Sequence, residues 1–149
     1  MKKIYSLLFV VTTTLLSLSA CKKETGELGI FTCKVNGVDW SATKETIALH
    51  AGIPLNLIGR NDSTTIIINF QDVNDIGTYL INDSSVHFAQ YIDGPETFDI
   101  YKSYYYSSGA VTITEISDKK VKGTFDTLKL SNSFVFKYLT NGNFEIDIK

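Results

Sequence analysis

The sequence predicts an all-β domain: a single antiparallel β-sandwich of about nine to eleven short strands, with a closed or partly open antiparallel barrel as the alternative. Apolar and polar residues alternate with a period of two in many short runs, and Gly, Asn, Asp and Ser separate these runs. No long segment places apolar residues at the i, i+3, i+4 and i+7 spacing of an amphipathic helix. The uneven lengths of the runs favour a sandwich over a closed barrel, which needs evenly sized strands.

Twelve segments meet the strand pattern, and some are expected to merge or fail. The two prolines, Pro54 and Pro95, fall between candidates, where a missing N–H costs no ladder hydrogen bond. The candidates are residues 30–35, 38–42, 46–50, 55–60, 65–71, 77–81, 86–92, 97–105, 110–116, 121–130, 134–139 and 144–149.

The first twenty residues have the layout of an export signal. Lys2 and Lys3 form a positive start, residues 4–18 are mostly apolar but carry several hydroxyls, and small residues follow. The apolar run is shorter than the roughly 20 residues that a membrane-spanning helix needs. We therefore expect residues 1–20 to be a removed signal peptide.

The four residues Leu18-Ser19-Ala20-Cys21 resemble a bacterial lipobox. The resemblance implies cleavage before Cys21 and lipidation of its thiol, and several acyl chains anchor a protein stably. Residues 21–28 are then the lipidated cysteine and a flexible polar tether, and residues 29–149 form one β domain. The expected location is the bacterial cell envelope, at the outer membrane, with the periplasmic or surface face left open.

The charge of the mature chain excludes one class of partner. Removal of Lys2 and Lys3 changes the formal net charge from −2 to −4, and no run of five like charges remains. A mildly acidic domain with scattered lysines lacks the basic surface that nucleic acids require. We expect a monomer that contacts the membrane through the lipid on Cys21, with a glycan or a protein as the candidate partner.

The stretch "FTCKVNGVDW" predicts a β-hairpin. Asn36-Gly37 suits a two-residue type I′ turn, in which both residues have positive φ. The register that follows places Cys33 beside Trp40 on a buried face, where a thiol stays protonated and acts as a small hydrophobe. With Cys21 acylated, Cys33 has no disulfide partner. The predicted pairs are Val35–Val38, Lys34–Asp39, Cys33–Trp40, Thr32–Ser41 and Phe31–Ala42.

The C-terminus predicts a second hairpin, with Thr140-Asn141-Gly142 as a three-residue turn. Lys137 then pairs with Glu145 on the polar face. The residues expected to share the apolar face are Phe134, Phe136, Tyr138, Phe144, Ile146 and Ile148, with Phe136 opposite Ile146.

Motifs that carry chemistry are absent from the sequence. It contains no Gly-x-Ser-x-Gly, no HExxH and no phosphate-binding glycine loop. His50 and His87 lack an orienting partner nearby in sequence. Asp72, Asn74 and Asp75 offer fewer oxygens than a calcium site needs and are typical of an Asx-rich turn. We therefore predict no catalytic residue, no metal site and no cofactor.

The stretch "DIYKSYYYSSG" is the most suggestive for binding. In a strand, Tyr104 and Tyr106 face one way while Tyr101 and Tyr105 face the other. One of these pairs belongs to the core. Tyr104 and Tyr106 are the candidate ligand-binding residues, because tyrosine offers a large apolar area with a polar end for a sugar or peptide.

Four longer stretches carry a family resemblance: "FTCKVNGVDWSA" at 31–42, "GTYLI" at 77–81, "GAVTITEISDKKVKGTF" at 109–125 and "TNGNFEI" at 140–146. With these, the chain resembles a family of small Bacteroidota lipoproteins of unknown function. The resemblance implies an all-β lipoprotein with no known activity or catalytic residues.

The expected function is that of a membrane-anchored, non-enzymatic binding or interaction module with a glycan or protein ligand. One alternative is a lipocalin-like carrier of a small apolar ligand. The other is a hydrolase whose site forms only in three dimensions, with His50 or His87 beside a carboxylate.

Overall fold

A computed structural model describes residues 28–50, 54–73, 75–94, 99–103 and 106–149. The predicted signal peptide, Cys21, most of the tether, Asn74, Tyr104 and Tyr105 lie outside these residues. The regular elements are eleven strands: β1 (Ile30–Val35), β2 (Val38–Ser41), β3 (Glu45–His50), β4 (Leu55–Arg60), β5 (Thr64–Phe70), β6 (Gly77–Leu80), β7 (Phe88–Asp93), β8 (Asp99–Lys102), β9 (Ser108–Ile116), β10 (Lys120–Asn132) and β11 (Val135–Asp147).

All eleven strands belong to one antiparallel sheet that curls into a half-barrel. The main path runs β2-β1-β11-β10-β8-β7-β5-β4-β3, while β9 pairs with β10 and carries β6 on its other edge. A single parallel bridge between Ala48 and Ile148 connects the end of the chain to β3. The predicted all-β antiparallel class is confirmed. The half-barrel corresponds to the partly open barrel given as the alternative, since one curled sheet is present where the favoured sandwich has two packed sheets. Among the described residues, no helix is long and apolar enough to cross a bilayer.

One hydrophobic cluster fills the inside of the curled sheet. In β4, and in β5 as far as Ile68, the buried residues alternate with less buried ones, as the period-two pattern predicts. Burial of these side chains is the main favourable term in folding. The largest fully buried residues are Phe31, Phe70, Phe144, Leu55, Leu57, Ile66, Ile68, Ile81, Ile113, Leu128, Leu130 and Leu139.

The first hairpin forms as predicted. Asn36 and Gly37 have φ values of 50° and 85°, as a type I′ turn requires. Cys33 pairs with Trp40, and the neighbouring pairs follow the predicted register. The Trp40 indole N–H donates a buried 2.6 Å hydrogen bond to Thr64 Oγ1 of β5, which fixes the hairpin across the core.

The second predicted hairpin is wrong. The chain turns earlier, at Ser133-Phe134 between β10 and β11, with Ser133 at φ 56°. β11 instead runs through Asn141-Gly142, where Cys33 of β1 lies opposite two residues because the register shifts. Asn141 has φ 53°. The dipeptide therefore forms a β-bulge, in which Asn141 and not Gly142 has the left-handed backbone.

The bulge also changes which residues of β11 are buried. One extra residue moves the alternation onto the other face, so Leu139 is buried before the bulge, and Phe144 and Ile146 after it. Phe134, expected in the core, is 87 % exposed at the turn, and Tyr138 is 44 % exposed. The prediction that Phe136 and Ile146 form a cross-strand pair is also wrong, since Phe136 pairs with Ser131 and Ile146 with Val121.

Candidate functional site

A groove of about 660 Å³, lined by both polar and apolar groups, lies on the face of β6, β9 and β10 that points away from the core. On β9, Thr112 lines this groove while its neighbours Val111 and Ile113 are buried on the opposite face. The groove is lined by Thr78, Leu80, Asn82, Ser108, Gly109, Ala110, Thr112, Thr124, Phe125, Asp126 and Thr127.

The shape of the groove comes from an irregularity in strand pairing. Thr112 pairs with Thr124, and Gly109 pairs with Leu128, so three residues of β10 lie opposite two of β9. Such an extra residue bends the strand and increases its twist. Gly109 has φ 152°, and a Cβ there would approach the Leu128 side chain to 2.7 Å. A glycine is therefore required where the two strands meet beside the groove.

The chemistry of the lining is that of hydroxyls, one amide and one carboxylate. Thr78 Oγ1 and Thr112 Oγ1 lie 2.9 Å apart, and either hydroxyl can donate to the other. Asp126 is the one charged residue in the lining, and the 59 % exposed Leu80 provides an apolar wall beside Ala110. The groove can hydrogen-bond a neutral polar ligand and contact its apolar surface, but it does not bring an acid–base pair together.

A second concavity of about 340 Å³ lies on the same side of the sheet, at β1 and β2. It is lined by Thr32, Cys33, Lys34, Asp39, Trp40, Ser41 and Asn141. Burial raises the pKa of the Cys33 thiol to about 12, and the side chain is only 5 % exposed. This burial confirms the predicted packing of Cys33 in the core. A protonated, buried thiol is a poor nucleophile and a poor metal ligand.

His87 is held within a small aromatic cluster. Its Nδ1 accepts a 3.2 Å hydrogen bond from the backbone N–H of Gln71, and its ring packs against Tyr79 and Phe70 at centroid distances of 5.4 and 5.9 Å. Burial lowers the pKa of His87, and the charge of Asp72 opposes this. His87 lines neither concavity, and the His50 side chain lies outside the described residues.

The tyrosine-rich stretch differs from the predicted strand. β8 ends at Lys102, and Tyr106 lies beyond it with φ 57°, so strand alternation does not place the Tyr106 side chain. Tyr101 is buried and packs edge-on against Tyr91 at 6.1 Å. Tyr106 is 69 % exposed and precedes Ser108 of the groove by two residues. The ledge of Tyr104 and Tyr106 remains a prediction, since Tyr104 lies outside the described residues.

A lysine sits over the same buried tyrosines. Lys137 Nζ lies 3.0 Å from Asp93 Oδ2 and 5.1 and 5.2 Å from the ring centroids of Tyr91 and Tyr101. Burial alone would lower the pKa of Lys137, but the hydrogen bond and charge of Asp93 and the two tyrosines raise it. The ammonium therefore stays charged and acts as a structural ion pair with cation–π contacts, not as a general base.

Metal ligands do not converge in the described part of the chain. No group of three or more His, Cys, Asp or Glu side chains there could hold an ion. Asp75 Oδ1 accepts a 2.7 Å hydrogen bond from the N–H of Ile76, which is local turn geometry.

A family model described as a domain of unknown function, DUF6252, matches residues 28–145. The chain belongs to the DUF6252 family. No curated protein and no solved structure matches it. The DUF6252 region contains all of β1 to β10 and most of β11, so both concavities lie within it.

The groove of this DUF6252 domain was not identified from the sequence. Its lining comes from three strands, and the pairing of β6 with β9 joins residues more than 30 positions apart, as with Thr78 and Thr112. A signal was present: threonines occupy the outward positions that alternate with buried residues in β9 and β10. Without the strand order, those threonines cannot be distinguished from other solvent-exposed strand residues.

Proposed function

We propose that this protein is a Bacteroidota-type envelope lipoprotein, anchored through a lipid on Cys21, and that its β domain is a non-enzymatic module that binds a glycan. The single observation that supports the ligand class is the hydroxyl-lined groove on β6, β9 and β10.

The lining of the groove combines hydrogen-bonding groups with apolar surface, and both are needed to bind a sugar. Threonine and serine hydroxyls both donate and accept hydrogen bonds, as sugar hydroxyls do, and the Asp126 carboxylate accepts them strongly. Leu80 gives an apolar wall for the C–H face of a pyranose. Tyr106 is exposed and precedes Ser108 by two residues in the chain, so its ring is a candidate stacking surface.

The proposed anchor is compatible with the way the domain begins. β1 starts at Ile30, and Leu28 precedes it, so about seven residues separate the domain from Cys21. Such a tether extends at most about 25 Å. It would hold the domain close to the membrane while leaving the outer face of the sheet accessible.

The anchor is tested by Cys21→Ser in the native host. Loss of the thiol removes the lipid attachment point, so the variant should leave the membrane fraction or accumulate with its signal peptide attached. Membrane fractionation and the mass of the intact protein measure both outcomes. An unchanged mass and membrane association would contradict the lipid anchor.

Glycan binding is tested with the purified mature lipoprotein in detergent micelles on a glycan array. Thr112→Val removes a hydroxyl from the centre of the groove and Tyr106→Ala removes the adjacent ring, and each should weaken binding. Thr65→Val is a matched control, because Thr65 is also a half-buried strand threonine with one side-chain hydrogen bond, from Arg60 Nε at 3.3 Å. If the array shows no binding, or if Thr112→Val binds as the control does, the groove is not a glycan site.

The tyrosine ledge is separated from the groove by one further comparison. The double variant Tyr104→Ala, Tyr106→Ala should bind more weakly than Tyr106→Ala if both rings contact the ligand. Equal binding by the two variants would limit the contact to Tyr106.

A further inference from the structure

We propose that the ligand is a linear, uncharged glycan that lies across the strands, along a row of six polar side chains that starts in the groove. This inference rests on the proposed function and adds the length, direction and charge of the ligand. The row is made by Thr78, Thr112, Thr124, Asn143, Thr32 and Ser41, one residue from each of β6, β9, β10, β11, β1 and β2.

The strand register places these six residues side by side. Each is the direct pairing partner of the next: Thr78 of Thr112, Thr112 of Thr124, Thr124 of Asn143, Asn143 of Thr32, and Thr32 of Ser41. Directly opposed residues in antiparallel strands project to the same face of the sheet. The six side chains therefore form one continuous line perpendicular to the strands.

The row points away from the core over its whole length. Thr124 is exposed between buried Gly123 and Phe125, and Thr32 is exposed between buried Phe31 and Cys33. Five of the six residues are exposed and Thr112 is half-buried. Every side chain in the row can both donate and accept a hydrogen bond.

Both ends of the row enter a concavity. Thr78, Thr112 and Thr124 line the groove, while Thr32 and Ser41 line the second concavity at β1 and β2. Asn143 connects the two. A small ligand would contact only the side chains in the groove. A chain molecule can occupy both concavities and also contact Asn143 between them.

The spacing of the row determines the kind of chain. Neighbouring strands lie roughly 4.8 Å apart, so six strands span about 24 Å. One hexose of an extended, linear polysaccharide advances by a similar distance. A chain of about five sugars therefore covers the distance between the first and the last side chain of the row.

Three lysines beside the row are paired with carboxylates of the protein. On one flank Lys122 Nζ lies 3.2 Å from Glu115 and 3.5 Å from Glu145, and Lys120 Nζ lies 2.6 Å from Glu145. On the other flank Lys34 pairs with Asp39 at 2.8 Å. An anionic polymer would find no row of uncommitted basic groups along this line, so the surface favours an uncharged chain.

The test measures binding of uncharged β-1,4-linked gluco-, manno- and xylo-oligosaccharides, from disaccharide to hexasaccharide, to the mature lipoprotein in micelles by calorimetry. For at least one series, affinity should rise by tenfold or more from the disaccharide to the pentasaccharide and then level off. Thr32→Val, at the far end of the row, should weaken pentasaccharide binding about two- to tenfold, the usual effect of one hydrogen bond. It should leave disaccharide binding unchanged. Asn143→Ala provides a second variant, and circular dichroism checks the folding of both.

The outcomes separate this inference from the proposed function. Binding with equal affinity for the disaccharide and the pentasaccharide, or no effect of Thr32→Val and Asn143→Ala on the longest ligand, overturns the cross-strand row but keeps glycan binding in the groove. If a polyuronate binds as tightly as the uncharged oligosaccharides or more tightly, the expectation of an uncharged ligand is wrong. Absence of binding to every oligosaccharide overturns the row, and the array then decides whether the groove binds another glycan.

Discussion

Gly142 of β11 has no space for a side chain, and its replacement by alanine tests the packing of the central strands. Phe125 pairs directly with Gly142, and its ring lies over the glycine. A Cβ at position 142 would overlap three atoms of that ring, Cδ1, Cε1 and Cζ. Phe125 is only 3 % exposed, so moving its ring disturbs the packing of its neighbours.

The expected cost of Gly142→Ala follows from this overlap. Forcing an extra methyl group into a packed core typically costs about 1–3 kcal/mol. For a domain of this size, that loss lowers the melting temperature by about 4–10 °C. Gly77→Ala is the matched control, since the nearest side-chain atom to a Cβ at position 77 is Cε2 of Tyr79 at 3.8 Å, an ordinary contact. The control should change stability by less than about 0.5 kcal/mol.

Urea denaturation followed by Trp40 fluorescence measures these free energies of unfolding. Phe125→Leu, which removes ring atoms from the overlap, should be less costly in the Gly142→Ala background than in the wild type, with a coupling of about 0.5–3 kcal/mol. If Gly142→Ala and Gly77→Ala are equally stable, or if the double variant shows no coupling, the ring does not occupy the space above Gly142 and the reasoning fails.

Three further predictions concern the core and its pH dependence. Thr64→Val leaves the buried Trp40 N–H without its acceptor and should cost about 1–3 kcal/mol in urea denaturation; a cost near zero would contradict that bond. Cys33 should not react with a thiol reagent until the protein unfolds, because burial raises its pKa to about 12, and Cys33→Ser should cost about 1–3 kcal/mol; rapid labelling of the folded protein would argue against burial. Because burial lowers the pKa of His87, its neutral form stabilises the fold fully above pH 6.5, and this contribution is lost as the pH falls below that value. His87→Asn should therefore show a flatter change in stability between pH 7.5 and 5 than the wild type, and identical slopes would exclude the effect.

The first hairpin is specified by residues that lie close together in the sequence. Asn36-Gly37 and the alternation around it specify both the turn and the pairing of Cys33 with Trp40, because all the interacting residues lie within twelve positions of one another. A slip by one residue would exchange the buried and exposed faces, so few alternatives compete. The predicted and observed registers agree for this reason.

A second Asn-Gly dipeptide, near the C-terminus, led to the wrong hairpin prediction. Asn141-Gly142 has the left-handed preference of a turn, but the backbone uses it as a bulge inside β11. The choice depends on β1 and β10, which pair with β11 on its two edges and bury Phe144 between them. A bulge and a hairpin can each use one left-handed residue of such a dipeptide, so only these long-range contacts distinguish them.

The sequence by itself determined the all-β class, the approximate strand positions and the first hairpin, because these depend on period-two patterning and on turn residues that act over a few positions. The tertiary structure alone decided the order of strands, the half-barrel, and the groove with its six-residue row. Those features join β6 to β9 and β11 to β1, pairs separated by tens of residues. Such pairings are selected by burial of the whole shared face, a free energy that no short segment contains.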